Sequence, residues 1–467
     1  MVMGRRKEKQ LDLFVAHADL PKSPGHVFYD KLNLLLGEAG FDSFVERICQ
    51  PHYDQELGRP SLPPGVYFRM LFIGYFEDIN SQRGIAWRCH DSRSLQAFLG
   101  FLPNEITPDH SSLSNIRDRL PQSVHDDVFA FMLSLAEKKG LPISNKVGVD
   151  ATTLEANAAM KTLQRRDNGE DYKAYTRKLA QEAGLENPSD EEVRRFDRKR
   201  KNKKMSNEDW ESPSDPDSEI AKMKDGTTHL AYKAEHVVDL ETELVLAAQV
   251  LPATTADSES LAMSLMTAEI NVAAAQSEAK IEEVATDKGY HKLELLADLA
   301  EVEYRSYIPE PEQAHEHTWT DKSADQERAY RNNRRRVRGH HGRMLQKLRS
   351  ERVERSFAHV CETGGARRTW LRGLEKVSKR YQMVVAAHNL RIVMRKVYGV
   401  GKPRRLQGSS EALAGVFWSL LEFVRFLWVV VRRWRQHIDG GWSTATWHVW
   451  FTLRFGERKK PANSTGC

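Results

Sequence analysis

The chain has 467 residues, 40% of them apolar and 29% charged, with a formal charge of +5. This composition excludes a disordered or fibrous chain, and the length allows two or three domains with substantial cores. Four cysteines without CxxC spacing (Cys49, Cys89, Cys361, Cys467) exclude a disulfide framework and a zinc ribbon. No apolar stretch of signal-peptide type follows the opening MVMGRRKEKQ, so a reducing cytoplasm is the expected compartment.

After a tail over residues 1–23, residues 24–140 predict an all-helical domain. Apolar residues recur at three- and four-residue spacing in HVFYDKLNLLLGEAGF, PGVYFRMLFIGYFEDI and QSVHDDVFAFMLSLAEKKG. Pro63 and Pro64 suit a helix start. In TPDHSSLSNIRDRL, Leu113, Ile116 and Leu120 line one face, and Arg117 and Arg119 are expected to point away from it. Arg59, in the loop GRPSLPP, has the reach to enter a minor groove, although a plain connector is the simpler reading. Helices with exposed arginines are compatible with a DNA reader.

From residue 141 the period changes. NKVGVDATTLEA predicts a strand ending near Asp150, followed by a polar, charged insert over residues 160–218. THLAYKAEHVVD and ELVLAAQVLP predict a hairpin, and DSESLAMSLMTAEINVAA a helix. KIEEVATDKGY, KLELLADL and EYRSYIP then predict strand, helix and strand. Such an order builds an α/β domain, a mixed sheet flanked by helices, over residues 141–400. It matches the ribonuclease H-like fold. In that sheet Asp150 and Asp287 are expected to end adjacent parallel strands, at the carboxyl edge where α/β sheets place their sites.

Residues 311–400 open hydrophilic, pass through an arginine-rich run and continue as a helix through Glu354. Val353, Phe357 and Val360 share its packed face. Residues 401–467 predict a helical C-terminal extension. Its segment 411–431 is about as long as a membrane span. Twelve Leu, Val and Phe residues favour insertion by about 5 kcal/mol, and Arg425 and Glu422 offset roughly that amount. A helix packed in protein, without membrane contact, is the expectation.

Charge is uneven. The basic runs over 194–204 and 331–355 suit a polyanion, and Arg334, Arg335, Arg336 and Arg338 are candidates for tracking phosphates. Trp370 and Arg372 in RRTWLRG are candidates for stacking on or holding an unpaired base, with core packing the alternative for the tryptophan.

Three carboxylates remain, far apart in the chain and set in apolar sequence: Asp150, Asp287 and Glu354. Carboxylates about 4 Å apart repel by roughly 4 kcal/mol per pair at an effective dielectric near 20, so a converging set needs cations. Hard oxygen ligands select Mg2+, with Mn2+ able to substitute. Two such ions can clamp a phosphodiester between attacking and leaving oxygens.

These pieces together resemble a DDE-type transposase of a bacterial insertion sequence. The resemblance rests on GRPSLPPGVYFRMLFIGYF with SLSNIRDRL, GVDATTLEANAAM, SDPDSEIAKMKDGTTHLAYKAEHVVD, ATDKGYHKLELL and VERSFAHVCETGGARRTWLRGLEKV, over roughly residues 24–400. It implies a metal-binding triad of Asp150, Asp287 and Glu354 that binds element ends in double-stranded DNA, cuts them and transfers the strand. It also implies a nucleoid-associated protein, working as a homodimer or larger synaptic complex that holds two ends. Many relatives carry Tyr-x2-Arg-x3-Glu-x6-Lys around the glutamate. Here Lys347, Ser350 and Cys361 occupy those slots, which keeps Glu351 as an alternative third ligand. A nuclease without strand joining and a catalytically silent DNA-binding regulator are the competing functions.

Overall fold

The computed structural model describes residues 25–54, 56, 61–201, 205–223, 226–312 and 319–403. The expected C-terminal extension 401–467, with the segment 411–431, lies almost wholly outside these, as does Arg59.

Seven helices come first: α1 (Val27–Glu38), α2 (Phe41–Cys49), α3 (Pro64–Phe76), α4 (Gln82–Asp91), α5 (Arg93–Phe98), α6 (His110–Arg119) and α7 (Gln122–Lys138). Pro64 opens α3 where its missing N–H costs nothing, and α3 buries almost every side chain. Even Arg69 is enclosed. Its guanidinium grips Asp42 through two bonds of 2.8 and 3.0 Å and also reaches Asn33 and the Phe98 carbonyl. That full set of acceptors is what makes a buried arginine tolerable.

β1 (Lys146–Glu155) begins the sheet, and a charged arm follows: β2 (Gln164–Arg165), α8 (Tyr172–Glu182), α9 (Asp190–Lys199) and β3 (Trp210–Glu211). The sheet resumes with β4 (Glu219–Lys222), β5 (Thr228–Asp239) and β6 (Val245–Pro252), then α10 (Asp257–Ala274), β7 (Glu283–Ala285), α11 (Leu293–Glu301) and β8 (Arg305–Tyr307). Three helices close the described chain: α12 (Ala324–Arg338), α13 (His340–Phe357), which ends in a π-helical turn, and α14 (Leu374–Tyr398).

The sheet order is β4-β5-β1-β7-β8, with β6 also paired to β5 beyond β4. β5 runs antiparallel to β1, β4 and β6, whereas β7 is parallel to both β1 and β8. The hairpin predicted from the alternating run is present, and Asp239 fixes its turn by accepting from the Glu241 and Thr242 amides.

β1 is longer than expected. It was expected to stop near Asp150, but its pairing with β5 continues to Glu155↔Ala231, while pairing with β7 ends at Gly148↔Ala285. The partner strand sets its length. Asp150 therefore sits within a strand whose β7 side has been left open.

α14 links the helical part to the sheet. Asn389 both donates to and accepts from the backbone of Val245 in β6, and His388 meets the Tyr75 hydroxyl of α3 at 3.3 Å. The start of α14 is held by Asp215 and Asp217, which accept from the Gly373 and Leu374 amides. Acids at a helix N-terminus are stabilising. The turn-forming SDPD of the insert is thereby tied to the far end of the chain.

Candidate functional site

The β1–β7 register places the first two carboxylates. Gly148 pairs with Ala285, the last pair between the two strands, and Asp150 and Asp287 each lie two residues beyond it, Asp150 within β1 and Asp287 past the end of β7. Asp287 turns the chain there by accepting from the Gly289 amide at 2.9 Å. A Cβ on Gly289 would come within 2.8 Å of an Asp257 carboxylate oxygen, which would have to shift. Tyr290 then anchors the loop, its buried hydroxyl donating to Glu235 at 2.8 Å. Asp287 and Tyr290 of DKGY thus fix the turn and its anchor at the sheet edge.

α13 crosses above this edge. Gly148 lets it approach closely, since a Cβ there would meet Val353 and Arg349 within about 3 Å. Arg349 reaches Asp150 with Nη1 2.9 Å from Oδ2, and both side chains are largely covered. Its buried Nε has no acceptor among the described residues. Gln346 donates to the Thr286 and Tyr307 carbonyls, holding α13 against the ends of β7 and β8.

Gln346, Ser350 and Glu354 follow at i, i+4 and i+8, so they form one row along the helix. Gln346, at the start of this row, meets the Thr286 carbonyl. Glu354 is exposed and accepts from Ser350 Oγ at 3.1 Å. Glu351 is on another flank, engaged by Arg355, which also reaches Glu243 in the β5–β6 turn. Among the described residues, no three His, Cys, Asp or Glu side chains converge closely enough to hold an ion. The donor chemistry is nevertheless all carboxylate oxygen, the hard set that Mg2+ and Mn2+ prefer. Asp150 already holds a cation, the Arg349 guanidinium.

Two family models match the chain. The Transposase domain (DUF772) covers residues 18–119 and the Transposase DDE domain covers residues 193–390. The chain belongs to the DDE-type transposase family. No curated protein and no solved structure matches it. The DDE match includes Asp287 and Glu354 and begins after β1, leaving Asp150 placed by the strand register. Family membership implies DNA as a partner and a chemistry that generally uses divalent metal ions. Among the described residues, no helix of the transposase is long and apolar enough to cross a membrane.

The expected DNA contacts divide sharply. Arg117 is buried rather than outward, beside Asp118 at 3.2 Å, with α14 packed over it. The apolar face of α6 is wider than Leu113, Ile116 and Leu120 alone indicate. Arg336 is tied to the Ser306 carbonyl and hydroxyl of β8, and Arg334 pairs with Glu310. Arg335 reaches only Asn332, and it and Arg338 are exposed. Trp370 is half exposed with the Arg368 guanidinium over its ring. Asn157, just beyond β1, bonds both the Trp370 carbonyl and Arg372 Nε. The motifs ANAAM and RRTWLRG thus meet at one end of the transposase sheet.

Sequence reasoning missed Lys233 and Glu235. The signal was present, as charged residues inside the otherwise apolar β5 run. Glu235 is enclosed and accepts from Tyr290, Ser260 and Ser264. Lys233 is 2.6 Å from Asp257 and 3.6 Å from Glu235.

Proposed function

We propose that this transposase binds the ends of its insertion element and carries out metal-dependent strand cleavage followed by strand transfer, on a ribonuclease H-like core. The sheet order supports the core assignment: three antiparallel strands, β6-β5-β1, continue into the parallel pair β7-β8. The observation that supports this reading is that Asp150 and Asp287 each lie two residues beyond the last β1–β7 pair, at the edge crossed by α13, the helix that carries Glu354.

In this reading Asp150, Asp287 and Glu354 would hold two Mg2+ ions. When bound, the ions supply Lewis-acid activation of the phosphodiester and of the attacking hydroxyl. The rest is the work of the chain itself. The β1–β7 ladder fixes the two aspartates, Tyr290 holds the Asp287 loop, and Gln346 locks α13 across the strand ends. Arg335, Arg338, Trp370 and Arg372 supply DNA contacts, and a homodimer or larger synaptic complex brings two ends together.

The test uses DNA carrying the flanks of the element with Mg2+ or Mn2+. Asp287→Ala should abolish cleavage and retain end binding; full cleavage by that variant removes the assignment. Transfer of a pre-cut 3′-hydroxyl end to a second duplex separates a transposase from a nuclease that only hydrolyses.

A further inference from the structure

The arm between β1 and β4 presents a second charged surface that the active-site reading does not use. Its small core is aromatic. Trp210 meets Tyr172 and Tyr175 with ring centroids 5.5 and 5.2 Å apart, and Arg165 lies 5.7 Å from both Tyr175 and Trp210. Onto this core α9 lays one face, made of Val193, Phe196, Asp197 and Arg200. Asp197 accepts from the Tyr172 hydroxyl and pairs with Arg200.

The opposite face carries Arg194, Arg195, Arg198 and Lys199, all exposed. They form two i, i+4 rows, with neighbours about 5–6 Å apart. Of the acids in the first turn of α9, Asp190 binds Lys173 and Arg177, and Glu192 closes the Ser189 capping box. Four cations thus share the outer face with a single exposed carboxylate, Glu191.

The basic run on α12 behaves differently: Arg331, Arg334 and Arg336 are engaged by Glu327, Glu310 and Ser306. The arm also springs from the same end of β1 at which Asn157 gathers Trp370 and Arg372. A regular polyanion is the partner that such a face fits.

We propose that the outer face of α9 is a sequence-independent clamp for the phosphate backbone of double-stranded DNA, on the arm that leaves the Asn157 end of β1. This rests on the transposase reading above.

The test measures binding of the full chain to a labelled random-sequence duplex without divalent metal, across a salt series. Replacing Arg194, Arg195, Arg198 and Lys199 together by Gln should lower the slope of log affinity against log salt by about 3–4, near 0.9 per lost contact. The matching Arg→Lys variant should retain the slope, and urea unfolding should be unchanged in both. An unchanged slope in the Gln variant overturns the clamp while leaving the transposase reading intact. Loss of binding to anionic vesicles, with duplex binding unaffected, also overturns it. If the wild-type chain binds no duplex at low salt, both readings fall.

Discussion

Asp150 and Glu235 sit one register step apart on neighbouring strands and face opposite sides of the sheet. Asp150 has α13 above it, is partly open to solvent, and meets the Arg349 guanidinium and the Ala151 amide. Glu235 is sealed against α10, with three hydroxyl donors and a lysine around it. Both acids have partners, and what separates them is solvent: Glu235 is sealed from it and Asp150 is not.

Asp150→Asn should break this comparison first, and most visibly. It keeps an acceptor for Arg349, so urea unfolding should move little. Metal-dependent cleavage should fall by more than the roughly 10–100-fold typical of residues that act only behind metal ligands. A variant that cleaves normally would place Asp150 in the same structural class as Glu235.

Glu235→Ala should show the reverse pattern. Removing it strands the buried Tyr290 hydroxyl, takes an acceptor from Ser260 and Ser264, and leaves Asp257 as the carboxylate paired with Lys233. Leaving one member of a buried charge pair costs about 3 kcal/mol or more, read as a lower urea midpoint. Cleavage should fall as well, because the Asp287 loop loses its anchor. An unchanged midpoint would show that the enclosed acid contributes nothing to the fold.

Acid sensitivity sharpens the same distinction between sealed and open groups. His236 lies between Ser356 and Tyr381, stacked on Phe357, and burial pushes its pKa down to about 3. Burial also lowers His125 and His359 to about 4. An unfolded histidine binds its proton near pH 6.5, so between there and about pH 4 the unfolded chain holds more protons. Stability is therefore complete above pH 6.5 and falls as pH drops through that window. The slope approaches about 1.4 kcal/mol per pH unit for each such histidine. Urea midpoints at pH 7 and 5 measure it, and His236→Gln should flatten the difference.

Local patterns made part of this arrangement legible. Alternation in 228–252 gave the hairpin, Pro63 and Pro64 the start of α3, and DKGY the turn that presents Asp287. Features set by remote partners were not legible. The length of β1 depends on β5, more than seventy residues later in the chain. Arg117 is buried because α14 covers α6, and Arg336 is drawn inward by a backbone carbonyl of β8. A basic run looks the same in sequence whether its charges face water or fold back onto neighbouring strands. Lys233 and Glu235 were visible as charges in an apolar strand, but their meaning depends on α10 and Tyr290 closing over them.

The smallest expected effect bears on the third ligand. Glu351 and Glu354 are three residues apart on α13, yet the helix turns them to different flanks. Glu351 makes an exposed i, i+4 pair with Arg355, of a kind worth about 0.3–0.5 kcal/mol. Arg355 retains Glu243 when that pair is lost. Glu351→Ala should therefore change both urea midpoint and cleavage barely at all. Glu354→Ala, on the row shared with Gln346, should be equally mild toward unfolding and severe toward cleavage. Equal cleavage by the two variants would remove the flank argument, and loss of cleavage in Glu351→Ala alone would exchange their roles.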